Sequence, residues 1–140
     1  MEELYKDFEE ANNKLHDVMH DYPLFKEDID YIMEHDIKDI NDLLEKNDEY
    51  YLKKAIKQLN KLSDDIKKRS LLIDNLYDEF DKEVKKWNDG HLNRGISNSE
   101  LDDINSYINK ANDLINNHSV EDIKKAIELI KKANEKLKEY

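Results

Sequence analysis

The stretch from Asp48 to Trp87 reads DEYYLKKAIKQLNKLSDDIKKRSLLIDNLYDEFDKEVKKW, with no Gly and no Pro to interrupt a helix. Its apolar residues return at three- and four-residue steps: Leu52, Ile56, Leu59, Leu62 and Ile66, then Ile73, Leu76, Phe80, Val84 and Trp87. That period places them on one stripe of an α-helix, and the stripe must be covered by something. A single helix of ~60 Å follows at 1.5 Å per residue. The stripe lapses only at Lys67-Lys68-Arg69-Ser70, where a core-facing position falls on Arg69 or Ser70. The expectation is one packed unit before the lapse, a second after it, and a change of partners at the lapse itself.

Working outward, the spacing predicts five helices at about 2–20, 26–46, 48–88, 98–116 and 120–139 in an all-α fold. The first carries Leu4, Phe8, Ala11, Leu15, Val18 and Met19, and Asp21-Tyr22-Pro23 ends it, since Pro disfavours helix in the residue before it. The second carries Ile29, Met33, Ile37, Ile40 and Leu44 as its core stripe. Asp48 is placed to cap the long helix by accepting from its free N–H groups. Asn88-Asp89-Gly90 to Gly95 is the most loop-like run in the chain. Ser97-Asn98-Ser99-Glu100 then has the form of a capping box, and Ser119 with Asp122 forms another cap for the last helix.

The second half repeats the first. Asn41-Asp42-Leu43 matches Asn112-Asp113-Leu114, and Lys53-Lys54-Ala55-Ile56 matches Lys124-Lys125-Ala126-Ile127, each 71 residues on. Near the start of each half the separation is 72, pairing Leu4-Tyr5 with Leu76-Tyr77, Phe8 with Phe80 and Leu15 with Trp87. The one-residue slip is expected in the loop between Asp17 and Asp30, where length changes are tolerated. Two tandem three-helix units, 1–69 and 70–140, sharing the long central helix are therefore expected, with one compact five-helix bundle as the rival.

The run Ala111-Asn112-Asp113-Leu114-Ile115, then Ser119 to Ala126, then Ile130, Ala133 and Leu137, resembles the end of FIVAR- and GA-type modules. These are small three-helix modules found in tandem in Gram-positive surface proteins. The first half follows the same pattern more loosely through Asp48, Leu52, Ala55, Leu59 and Leu62, and the chain has less Ala than that family. The resemblance implies tandem three-helix packing and assigns no ligand.

Charged residues make up 41% of the 140 and apolar ones 38%, with a mean hydropathy of −1.01, values that verge on disorder. The periodicity overrides that reading. With no Cys there is neither a disulfide framework nor a thiolate metal site. The acidic, amphipathic start Met1-Glu2-Glu3-Leu4-Tyr5-Lys6 is unlike a secretory signal, and no apolar run nears the ~18 residues that cross a membrane. A cytoplasmic location is the expectation. The formal charge of −11 is uneven: residues 17–49 hold twelve acids against three lysines, whereas 53–69 hold seven bases against two acids. Direct binding to nucleic acid or an anionic membrane is disfavoured, and a partner with a basic groove suits the acidic part.

His16 and His20 stand one turn apart, a spacing at which two imidazoles can grip a metal ion. No third ligand accompanies them, so solvated histidines are the plainer reading and no metal or cofactor is assigned. No nucleophile has a base at motif spacing, and no Gly-rich loop carries the lysine a phosphate site needs. An enzyme is not expected. The most informative surface is the acidic second helix, whose candidate partner-binding residues are Glu27, Asp30, Tyr31, Glu34, Asp42 and Glu45. Tyr supplies contact area at little entropic cost. The carboxylates either keep a small protein soluble or imitate nucleic-acid phosphates. The leading expectation is a non-enzymatic module that binds another protein through helix faces. The alternative is an acidic, phage-type inhibitor that mimics nucleic acid and blocks a nucleic-acid-binding enzyme.

Overall fold

The computed structural model describes residues 2–95 and 98–139, without the side chains of 91–94, 98 and 100. It is all-α: among the described residues there is no strand. Helix α1 spans Glu2–Asp21. The second helix is built from α2 (Lys26–Tyr31), a π-helical segment (Ile32–Ile37) and α3 (Lys38–Glu45) in unbroken succession. The long helix α4 runs over Glu49–Arg94, followed by α5 (Asn98–Ile115) and α6 (Val120–Leu137). Contacts divide the chain into two compact units, Met1–Leu72 and Ile73–Tyr140.

The local chemistry explains the boundaries. Glu2 and Glu3 meet the positive end of the α1 dipole, and the last amide bond, Tyr22 N to Val18 O at 2.8 Å, precedes Pro23. Asn47 (φ 50°) and His118 (φ 53°) take the left-handed conformation that turns the chain out of one helix toward the next. Asp48 accepts from Tyr50 N at 3.4 Å, a long version of the expected cap. Ser119 makes no such bond; Asn117 Nδ2 reaches Asp122 Oδ2 at 3.0 Å instead, tying the turn to the first turn of α6. The capping box expected at Ser97–Glu100 lies outside the described residues at Ser97 and at the Glu100 side chain.

The expected loop after Trp87 is instead seven further residues of α4, which stops before Gly95 at φ +62°. Gly90 sits inside the helix, where a β-carbon would stand 2.9 Å from Leu137 Cδ2. It is a close-packing position rather than a turn. Trp87 is buried as expected, 5% exposed, with Leu101, Ile104, Ala133 and Leu137 around it.

In the first unit, Ala11, Leu15, Val18, Ile32, Ile40, Ala55, Leu59, Leu62 and Ile66 form one core. The expected stripe of the second helix is wrong at its start: Ile29 is 36% and Met33 52% exposed, and Ile32 (7%) occupies the core instead. The π-helical segment is the reason. Its wider turn steps the inward positions to Asp28, Ile32, Asp36 and Ile40, which no 3.6-residue period anticipates.

The lapse in the α4 stripe also has a structural role. Arg69 Nε and Nη2 donate to Asp28 Oδ2 and Oδ1 at 3.2 and 3.1 Å. The Ser70 hydroxyl donates to the Pro23 carbonyl at 3.0 Å. The first bond holds the start of α2 against α4 and the second holds the link between α1 and α2; the first unit runs to Leu72. In the second unit the polar inward position is Glu83, 9% exposed, whose carbonyl and carboxylate accept from Asn134 Nδ2 at 3.1 and 3.0 Å.

Candidate functional site

The second helix and α4 leave a cleft of about 610 Å³ between them in the first unit. Its floor is Leu24, Ile32, Leu62 and Ile66, side chains that are already part of the core or lean on it. Around this floor stand Glu27, Asp28, Tyr31, Asp36, Asp65 and Arg69. A smaller cleft of about 240 Å³ shares Asp36, Leu62 and Asp65 and adds Asp39, Ile40, Gln58 and Lys61. The two clefts therefore adjoin along the helix pair, with Asp36, Leu62 and Asp65 common to both, and are together called the groove.

The groove's charge is unbalanced. Its only bases are Lys61 and Arg69, and Arg69 is already engaged by Asp28, whose side chain is 17% exposed. Asp36 projects from the π-helical segment into this setting. Burial first, then the neighbouring Asp39 and Asp65 carboxylates, hold its carboxyl above the ordinary range, against weaker opposing pulls from His35 and Lys61.

Of the residues singled out from sequence, Glu27 and Tyr31 line the groove. Tyr31 is 60% exposed and its ring lies 4.4 Å from that of His35. Asp30 is exposed and 3.7 Å from Lys26 Nζ across one turn, and Glu34, Asp42 and Glu45 are exposed outside the groove. The cleft also holds Asp36 and Asp65, which the sequence reading does not name, and Arg69, which it reads only as a lapse in the stripe.

His16 and His20 are exposed, and His20 Nδ1 lies 3.1 Å from Asp21 Oδ1 of its own helix end. Among the described residues no group of three His, Asp, Glu or Cys side chains is placed to hold a metal ion. No described helix is long and apolar enough to cross a membrane.

Comparison of the chain with protein-family models, curated proteins and solved structures finds no match. The site must be read from its own chemistry.

Proposed function

We propose that the chain is a duplicated three-helix protein whose first unit binds another protein through its second helix. The observation that carries this reading is where apolar surface is left uncovered. Of six large apolar side chains that stay exposed, Tyr5, Ile29, Tyr31, Met33, Tyr50 and Leu71, three fall within five residues of one helix. Scattered exposed apolar residues are ordinary, but a concentration on one helix marks a contact surface.

Burial supports the duplication at two pairs, Ile32 with Ile104 and Ile40 with Ala111, and departs from it at Ile29, 36% exposed against 3% for Leu101. At a separation of 72, Lys26 pairs with Asn98 at the two helix starts, Ile29 with Leu101, and Ile32 with Ile104. At 71, Ile37 pairs with Ile108, Ile40 with Ala111 and Leu43 with Leu114; Ile40 and Ala111 are both buried. One of the four residues from Met33 to Asp36 is then unmatched, and all four lie in the π-helical segment. A π-helical turn is what an α-helix forms to hold one extra residue while keeping the faces on either side in register. The π-helical segment supports placing the slip inside the second helix, beside the groove, rather than in the loop before it.

A second reading, the nucleic-acid mimic, draws on the carboxylates of the same helix. Two experiments separate them. Replacing Ile29 and Met33 by Ser should abolish capture of the natural partner, while Glu34→Gln, Asp42→Asn and Glu45→Gln together should spare it. A phosphate mimic reverses that order and loses its partner steeply toward ~1 M salt, where the screening length falls to about 3 Å.

A further inference from the structure

Resting on that protein-binding reading, we propose that the groove beside the π-helical segment seats a basic amphipathic helix of the partner, with Asp36 and Asp65 selecting its cationic side chains. The shape argues for a helix over a compact ligand. The two clefts share Asp36, Leu62 and Asp65, and the lining runs from Glu27 to Asp39, roughly 16–18 Å of helix length at 1.5 Å per residue. Three turns of a partner helix span that distance.

Charge complementarity names the occupant. An apolar floor of Ile32, Leu62 and Ile66 suits an apolar stripe, and the carboxylates beside it suit Lys or Arg flanking that stripe. Arg69 does not cancel them, because its guanidinium is spent on Asp28, and Lys61 alone is left against Glu27, Asp36, Asp39 and Asp65. Tyr31 offers a ring at the rim over which a cation can lie. At neither separation does the second unit carry an acid opposite Asp36, which falls on Tyr107 or Ile108, so the specificity belongs to the first unit.

The test is fluorescence anisotropy of the full chain with a labelled synthetic Leu/Lys amphipathic helix of about 14 residues, and with its Leu/Glu counterpart. Only the Lys peptide should bind. Asp36→Asn with Asp65→Asn should weaken it at least ~10-fold, whereas Asp102→Asn with Asp113→Asn in the second unit should change it less than ~2-fold. Circular dichroism establishes that each variant remains helical. An equal loss from both pairs would mean attraction to net charge alone and would overturn the proposal, as would absence of binding by the wild-type chain. If Ile29→Ser with Met33→Ser abolishes binding while the Asp36/Asp65 pair does not, the groove is the wrong seat and the protein-binding helix still stands. If neither pair matters while the peptide still binds, both readings fail for this class of partner.

Discussion

Arg69 of α4 holds Asp28 of α2 in a two-pronged ion pair, Nε to Oδ2 at 3.2 Å and Nη2 to Oδ1 at 3.1 Å, across 41 residues of sequence. The Asp28 side chain is 17% exposed, so the pair is partly shielded from water and fixes the start of the second helix against α4. Removing one partner leaves the other poorly solvated, and two parallel bonds need the planar fork of a guanidinium. Arg69→Ala is expected to cost about 1–3 kcal/mol in urea unfolding, and Arg69→Lys to restore less than half of it.

Ser63 carries the one buried side-chain oxygen among the described residues with no hydrogen-bond partner. A desolvated hydroxyl without a partner costs roughly 1–3 kcal/mol. Ser63→Ala should therefore raise the urea midpoint, by about 1 kcal/mol in stability, with the slope of the transition unchanged.

The Asp36 carboxyl gives a pH signature of known sign. Its pKa in the folded chain is raised, by burial first and then by Asp39 and Asp65, so the fold binds this proton more tightly than the unfolded chain does. The favourable contribution is full below the ordinary carboxylate pKa and disappears as pH rises through the raised value. At neutral pH the charge is a net cost, so Asp36→Asn should stabilise by a few tenths of a kcal/mol, the scale of like-charge neighbours on a helix. At pH ~3, where the carboxyl is protonated in both states, the gain should vanish.

Gly90 packs against the end of Leu137, which is 3% exposed. A valine, the residue at the matching place Val18 in the first unit, would need room that Leu137 occupies. Gly90→Val should destabilise the chain by about 1–3 kcal/mol through overpacking. Gly90→Ala should lie close to neutral, because a helix-propensity gain of ~1 kcal/mol offsets a small shift of a flexible leucine end.

The all-α character and the five helices were legible because apolar residues recur with helical period over long Gly- and Pro-free runs, as in Leu52 to Trp87. What misled was any place where a residue's type and its backbone part company. Asn88-Asp89-Gly90 looks like a turn, yet remains helical, with Gly90 facing Leu137. Met33 continues an α-period that the π-helical segment breaks, so it is exposed and Ile32 is buried. Arg69 and Ser70 look like a gap in a stripe, although each is bonded to the chain between α1 and α2 or to α2 itself. Periodicity reports which face is apolar. It carries no trace of a polar residue that reaches a partner dozens of positions away, and for that reason the groove lined by Asp28, Asp36, Asp65 and Arg69 was not visible beforehand.

On the reading proposed above, one extra residue held in the π-helical turn sets the first unit apart from the second, and deleting Asp36 from that turn tests the point most directly. Urea unfolding of a chain lacking Asp36 should give a cooperative transition within ~1 kcal/mol of wild type, since the second helix then closes into an uninterrupted α-helix with Ile32, Ile37 and Ile40 still inward. Removing Leu24 from the preceding link instead should unfold the first unit. The opposite pattern, with the link tolerant of deletion and the loss of Asp36 turning the helix faces by about 100° and collapsing the unit, would contradict it.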